Sequence, residues 1–514
     1  MKKAFFLLAG MAVFSTGFAQ AVMPARPNII VFLVDDMGWV DCSVPFGGSR
    51  QPLNRLYHTP NMERLAGQGA IFSSAYAQPV CTPSRVSMLT GMNAARTRIT
   101  NWTSPQKDNN TDEKDQQFEP LDWNLNGLSN SPSTPHALFA TSFPQLLKQA
   151  GYYTIHVGKA HWGAAGTPGA NPYNLGFMVN VAGHAAGHPQ SYLSEQHYGN
   201  LPGKAQAQAV PDLEAYFNTG TFLTAALTQE AIKAIGNAID LHQPFFLNMA
   251  HYAVHTPIMA DPRFVQKYYD AGADSIEAAY ASLIEGMDKS LGDIMDCLES
   301  KGVARNTIVI FMSDNGGLDH HQRGGVPNTH NYPLRSGKGS VYEGGIREPM
   351  IVKWPGVTRP GTAIAQPVII EDFFPSILEM AGIKKPSYLQ QTDGLSFVPV
   401  LKNAGLSATE RPLVFHYPNK WINLDEEEAL GINYYSALRL GKWKLLYNMR
   451  KRQFELYDLS RDIGEKNNLA AGNTATVKQL AMLLGKTLKA RGAQMPVEKA
   501  TGRSVPFPDE VPVQ

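Results

Sequence analysis

An α/β fold, a large and mostly parallel sheet with helices on both faces, is predicted by three observations. Four short, nearly continuous apolar runs recur along the chain, and such runs mark strands buried on both faces. Helix-length stretches lie between them, and alternating strands and helices wind into a parallel sheet. The 514 residues exceed one small domain, so a large catalytic domain and a smaller one are expected.

The runs are taken in order. Asn28 to Val34 ends in Asp35-Asp36. Ser142 to Ala150 has helical character and leads into Tyr152 to Val157, which is followed by Gly158-Lys159-Ala160-His161. A second helical stretch, Thr221 to Ile239, precedes Pro244 to Met249, which is followed by His251 and His255. A third, Ser275 to Ser300, precedes Thr307 to Met312, which ends in Ser313-Asp314-Asn315-Gly316-Gly317. Ligands of such sheets bind beyond the C-terminal strand ends. Each run carries its polar residues at that end.

The N-terminus reads as a secretory signal over residues 1–21. Lys2 and Lys3 start it, Ala4 to Phe14 are apolar but too few to span a bilayer, and Ala19 or Ala21 offers a cleavage point. The mature protein is expected to be exported, periplasmic or secreted, and free of the membrane. A formal net charge of +1 supplies no field for nucleic acid or for a long polyanion, so attraction for an anion must be local. The apolar share of 43% and charged share of 17% fit a globular chain. With three cysteines, Cys42, Cys81 and Cys297, there is no disulfide scaffold. An oxidising compartment would allow one pair, Cys42 with Cys297; otherwise both read as small buried apolar residues.

Cys81 differs. It opens Cys81-Thr82-Pro83-Ser84-Arg85, followed by a stretch able to be helical through Leu89-Thr90-Gly91. That puts a nucleophile-type residue at the positive end of a helix, with a cation four positions on. It reads as a site for an anionic ester. Asp35, Asp36, Asp314 and Asn315 are short oxygen ligands. If their strands are neighbours they form one hard-cation site, which suits calcium somewhat better than magnesium and disfavours zinc. Lys338 sits among glycines, Gly337-Lys338-Gly339, where the backbone can approach closely and the ammonium can reach.

These residues resemble the type I, formylglycine-dependent sulfatases of the alkaline phosphatase superfamily. Cys81-Thr-Pro-Ser-Arg85 with Leu89-Thr90-Gly91 is similar to that family's motif for converting cysteine to formylglycine. Gly158-Lys159-Ala160-His161-Trp162-Gly163 is similar to its second motif, with Ala160 and Trp162 where Trp and Leu are common. The resemblance runs from about residue 27 to about residue 470. It implies an alkaline phosphatase-like catalytic domain over 22–400. A small antiparallel sheet with a terminal helix would follow over 401–494, and an extended, proline-bearing tail over 495–514.

The resemblance also implies roles. Cys81, once converted by a formylglycine-generating maturation enzyme, would present a hydrated aldehyde whose hydroxyl attacks sulfur. Arg85 would hold that group. Asp35, Asp36, Asp314 and Asn315 would bind calcium, which also contacts residue 81. Lys159 and Lys338 would grip sulfate oxygens. His255 would protonate the leaving alcohol, and His161 would act on the second hydroxyl so that sulfate is expelled. The expected substrate is an O-sulfated carbohydrate, a small glycan or a glycosaminoglycan-derived sugar, with release of inorganic sulfate. Candidate sugar contacts are Asp319, His320, His321, Gln322 and Arg323, which emerge from a metal-bearing strand end, and Trp102. Asn101, His184, His188, His330 and Asn331 are further candidates. Two other readings use the same motifs: a phosphodiesterase or phosphonate monoester hydrolase, and a non-catalytic glycan-binding protein.

Overall fold

The computed structural model describes residues 26–204, 206–318, 323–324, 330–406, 410–423 and 428–513. The signal segment lies outside them, as do Asp319, His320, His321 and Gln322. The strands in chain order are β1 (Asn28–Val34), β2 (Ala70–Tyr76), β3 (Leu128–Ser129), β4 (Leu138–Phe139), β5 (Tyr153–Gly158), β6 (Val179–Val181), β7 (Phe245–Ala250) and β8 (Thr307–Ser313). They continue with β9 (Arg347–Lys353), β10 (Thr362–Ile364), β11 (Val368–Ile369), β12 (Leu413–Tyr417), β13 (Tyr435–Leu440), β14 (Trp443–Asn448) and β15 (Gln453–Asp458).

The main sheet has nine strands in the order β10-β2-β9-β8-β1-β7-β5-β6, with β11 also on β2. β9 runs antiparallel to β2 and β8; the other pairs are parallel. β1 is central, with Ile29 opposite both Phe246 of β7 and Ile308 of β8. At the foot of β1 the Asn28 amide pins this register, donating to Thr307 Oγ1 at 3.2 Å and accepting from the Phe245 N–H at 3.2 Å. Successive side chains of β1 enter different cores, as strand geometry dictates. Ile29, Val31 and Leu33 join one, with Val86 and Leu89 of the Cys81–Thr90 helix. Ile30, Phe32 and Val34 join the other, with Leu283, Met287 and Leu291 of the Ser275–Ser300 helix. Burial on both faces is why these strands lack polar alternation.

The smaller sheet is an antiparallel meander, β12-β13-β14-β15. The Thr474–Ala490 helix lays Val477, Leu480, Leu484 and Leu488 against Leu438, Leu445 and Leu456. A buried ionic cluster joins the two sheets. Lys444 Nζ lies 2.9 Å from Glu343 and 2.8 Å from Glu465, and Glu343 also pairs with Arg347 at 3.0 Å.

One expectation holds and another changes. Cys42 and Cys297 are buried free thiols, in keeping with the reading of both as small buried apolar residues, and Cys81 is free as well; the Cys42 thiol points at the Val44 carbonyl, 3.4 Å away. The segment from Met495 does run without long helix or strand, but it is packed down. Its prolines disfavour a long helix, leaving one 3-10 turn at Pro508–Glu510, yet Met495 and Val505 are buried in the core of the smaller sheet.

Candidate active site

Five elements end on one spot. β1 delivers Asp35 and Asp36, β8 delivers Asp314 and Asn315, β5 is followed by Lys159 and His161, and β7 leads to His255. Their exits are laced by the backbone. The Asp314 N–H donates to the Val34 carbonyl at 3.0 Å, Asp35 N–H to Ala253 at 3.0 Å, and Lys159 N–H to Ala250 at 2.7 Å. Gly158 makes the last contact possible. Its φ is +99°, and a Cβ there would lie 1.9 Å from the Ala250 oxygen. Lys338 arrives on the loop before β9, where its N–H donates to Gly317 at 3.1 Å and that of Gly339 to Pro79 at 2.7 Å.

The fifth element is the Cys81–Thr90 helix, buried along its whole length. Pro83 sits in its first turn, where a missing N–H loses no intrahelical bond. Cys81 opens it, and Arg85, one turn on, shares its face. The Cys81 Sγ lies 3.4 Å from His161 Nδ1. Arg85 Nε donates to Asp314 Oδ2 at 2.7 Å, a terminal nitrogen donates to the Lys159 carbonyl at 2.9 Å, and the other lies 3.6 Å from Asp35.

The remaining pairs interlock. Lys159 Nζ meets both Asp35 oxygens at 2.8 and 2.7 Å. Lys338 Nζ lies 2.7 and 2.8 Å from the two Asp36 oxygens and donates to His255 Nε2 at 3.1 Å. The Asn315 amide donates to Asp36 Oδ1 at 2.8 Å. The residues thought to hold a cation and those thought to hold the ester thus form one buried lattice.

Its electrostatics follow from burial. Burial pushes the Asp35 carboxyl up to about 8; Lys159 opposes this, and Asp314 and Asp36 reinforce it. For Asp36 burial is outweighed by His255 and Lys338, with Lys159 adding to them, and the carboxyl is held well below its ordinary range. The Cys81 thiol is pushed up by burial despite Lys159 and Lys338, so at neutral pH it is a thiol and a weak nucleophile. His161 and His255 are both pushed well down by burial and by the nearby lysines, so each ring is neutral. Hydrogen bonds then assign the tautomers. His161 Nε2 faces the Thr103 carbonyl at 2.9 Å and must carry the proton, which leaves Nδ1 as an acceptor toward residue 81. His255 Nδ1 faces the Thr256 carbonyl at 3.0 Å, which leaves Nε2 as the acceptor for Lys338.

The donor set fits a hard divalent cation. Asp35, Asp36 and His255 offer ligand atoms within 4.8 Å of one another, and the Asn315 Oδ1 is buried without a hydrogen-bond partner. Burial drives the Asp35 carboxyl up to about 8, with Asp314 and Asp36 adding to it, and added positive charge would favour its ionised form.

A cavity of about 500 Å³ opens above this lattice, with Cys81, His161, His255 and Lys338 in its wall. Trp102 and His188 line it too, as the sequence proposed, and the His188 ring stacks on that of His255 at 5.6 Å between centroids. Arg323 does not face it. Its guanidinium donates to Glu277 at 3.0 Å and lies over the Tyr280 ring. A buried arginine beside a buried carboxylate pairs with it in preference to facing solvent. His330 and Asn331 are also inward, bonded to Asp41 and to the Gly317 backbone. His184 gives its carbonyl to the His161 N–H at 3.2 Å, and Asn101 lies fully buried beneath the Trp102 wall.

Sequence reasoning missed several residues here. Trp421 and Gln208 line the cavity, Thr103 sets the His161 tautomer, and Glu348 is buried with both oxygens unpaired. Burial, then Asp314 and Asp36, push the Glu348 carboxyl well up, so it is a neutral acid beneath the site. Trp421, Gln208 and Thr103 lie outside any patterned run, and Glu348 lies in β9, which is not among the four apolar runs. Asp112 was missed as well. It accepts from the amides of Asn101 at 2.9 Å and Asn419 at 2.9 and 3.0 Å.

Burial raises the Asp112 carboxyl from 3.8 to about 6, against the amide bonds from Asn101 and Asn419. The native state therefore holds this proton more tightly than the unfolded chain. The resulting stabilisation is fully present below the unfolded value and is lost as pH rises through about 6. Asp112→Asn should melt roughly 2–5 °C above the parent at neutral pH, with the gap closing in acid. A gap that does not change with pH would contradict this.

Comparison with known proteins follows the same lines. Residues 27–383 match the family model described as Sulfatase, and residues 336–494 match one described as N-sulphoglucosamine sulphohydrolase, C-terminal. A protein named Sulfatase from Formosa agariphila is 31% identical over 511 residues, covering 90% of this chain and 88% of that one. The N-acetylgalactosamine-6-sulfatase of Mus musculus is 32% identical over 420 residues, covering 78% of this chain and 71% of that one. The crystal structure of Ps i-CgsB superposes with a TM-score of 0.69 at 25% identity, covering 90% of this chain and 93% of that one.

Proposed function

Because the chain belongs to the sulfatase family, and so is a sulfuric ester hydrolase, we propose that it removes O-sulfate from carbohydrate, releasing inorganic sulfate, with Cys81 converted to formylglycine and calcium held by Asp35, Asp36, Asp314 and Asn315. The observation that carries this reading is the meeting of Cys81, His161, His255 and Lys338 in the wall of one cavity. The raised thiol pKa supports conversion, since burial outweighs Lys159 and Lys338 and leaves a plain cysteine protonated. The similarity to an N-acetylgalactosamine-6-sulfatase supports a sugar substrate. The N-terminal signal pattern supports export, with a maturation enzyme acting on Cys81 first, and no described helix is long and apolar enough to cross a membrane.

The formylglycine would supply a geminal diol, a nucleophile with an internal exit by elimination. Calcium would supply fixed positive charge against the sulfate oxygens and residue 81. The chain's own groups do the rest. Lys159, Lys338 and Arg85 set three cations around the place where sulfate charge must be stabilised, already desolvated and already oriented. Lys338 donates to His255 Nε2 at 3.1 Å, so a proton passed from the ammonium to that nitrogen can go on to the bridging oxygen, and the lysine is then reprotonated from solvent. His161 Nδ1, facing residue 81 at 3.4 Å, is placed to take a proton there.

The test is a screen of defined sulfated mono- and disaccharides for release of inorganic sulfate, using protein matured in its native host. Release from at least one sugar, and none by Cys81→Ser, is the expected result. Faster turnover of an aryl phosphonate than of any sulfate, or an unconverted Cys81 thiol by peptide mass, would overturn the reading.

A further inference from the structure

We propose that Trp102 and Trp421 are the two aromatic walls of a subsite for the sugar ring that bears the ester, and that Asp112 is the positioning residue that sets their spacing. The inference rests on the carbohydrate sulfatase reading and deepens it.

The charged lattice accounts for the recognition of sulfate and for nothing else in a sugar ester. The rest of the cavity has a different chemistry. Trp102 and Pro105 come from the segment after the Cys81–Thr90 helix, and Leu318 from the exit of β8. Trp421 and Ile422 come from the segment after β12, which belongs to the smaller sheet. A mostly apolar wall above a charged floor suits a ligand with one anionic group and a body that presents C–H faces. A pyranose ring has such faces, and aromatic side chains are its natural partners.

Trp421 is adjacent to the leaving-group end of the site. Its indole packs against Gly339: a Cβ at that position would come within 2.1 Å of a ring atom. Lys338, the next residue back, has its ammonium 5.7 Å from the indole centroid and 3.1 Å from His255 Nε2. The sugar is the leaving group of the reaction, so the ring nearest His255 and Lys338 is the one that carries the ester. Trp102 stands on the Cys81 side. The Thr103 N–H next to it donates to Thr82 Oγ1 at 3.1 Å, and the Thr103 carbonyl holds His161.

The two walls, far apart in sequence, are stitched together. Asn101 Oδ1 accepts from the Trp102 N–H and from the Tyr417 hydroxyl, both at 2.9 Å, and its amide donates to Asp112 Oδ1 at 2.9 Å. Asp112 accepts at 2.9 and 3.0 Å from Asn419, two residues before Trp421. The Glu113 N–H donates to the Lys420 carbonyl at 2.8 Å. Both tryptophans are thus one residue or two from a partner of the same carboxylate. This is a built spacing, of the kind a preorganised subsite needs.

The experiment compares two probes in the Cys81→Ala protein: inorganic sulfate, which reads the charged floor alone, and the sulfated monosaccharide that the wild type desulfates fastest, beginning with N-acetylgalactosamine 6-sulfate. Trp102→Ala and Trp421→Ala should each weaken the sugar sulfate about 10-fold or more and inorganic sulfate less than about 3-fold, since stacking contributes on this scale. Trp421→Phe should recover most of the loss. With residue 81 intact, Asp112→Ala should raise KM with little change in kcat. Asp112→Asn, whose amide oxygen can still accept from Asn101 and Asn419, should restore KM. Equal binding of the sugar sulfate by folded tryptophan variants sinks the subsite and leaves the sulfatase reading intact. Equal losses for both probes also sink it, because the indoles would then serve the lattice and not the sugar. Failure of the wild type to desulfate any sugar sinks the carbohydrate reading, and the subsite with it.

Discussion

Arg85→Met is expected to abolish sulfate release and to destabilise the fold by about 3–5 kcal/mol, the range for breaking one side of a buried ion pair. Arg85 is fully buried, with Asp314 at 2.7 Å and Asp35 at 3.6 Å. Methionine fills similar space but leaves those carboxylates facing one another across a low-dielectric interior. Thermal scans at one fixed rate should show the drop in midpoint, since a chain of this size need not unfold reversibly. The double variant Arg85→Met/Asp314→Leu separates the two effects. It should regain much of the stability, because no charge is left stranded at that contact, and none of the activity. A double variant no more stable than Arg85→Met would mean that Arg85 does not act through Asp314.

The second large effect is loss of metal. Dialysis against a chelator should reduce sulfate release to background, and calcium should restore it; an undiminished rate would remove the metal from the mechanism. Asn315 offers the sharper experiment. Its amide nitrogen donates to Asp36 at 2.8 Å, while its Oδ1 is buried without a partner. Asn315→Leu should raise the calcium concentration needed for half-maximal activity by at least about 10-fold, since loss of even a group that only supports a ligand typically costs about 10–100-fold. Calcium should also raise the melting midpoint of the parent, because an ion bound by the native state alone adds stability by mass action. A parent whose midpoint ignores calcium while its activity requires it would place the ion on the substrate rather than on these carboxylates.

Much of the site was legible in the chain because it sits at strand ends. β1 and β8 begin where the apolar runs begin, and each run stops at the residues that carry chemistry, Asp35-Asp36 and Asp314-Asn315. The predicted β5 and β7 differ from the observed ones by a single residue at each end. The cysteine-to-arginine spacing was equally readable, since four positions along a helix return to the same face. Arg323 shows the limit. It follows β8 closely in sequence, yet Glu277 draws it inward. Proximity along the chain stated its neighbourhood and left its direction open.

What the sequence determined alone was therefore local: where apolar runs end, which polar residues stand there, and which residue types could share a cation or an anion. Tertiary structure decided the rest. It turned His161 Nδ1 toward Cys81 by offering Thr103 to the other nitrogen, left Asn315 Oδ1 unpaired, and brought Trp421, from the segment after β12, into the same cavity wall as Trp102. The physical reason is range. Strand and helix patterns are written in neighbouring residues, whereas tautomers, orphaned atoms and shared walls depend on which distant segments pack together.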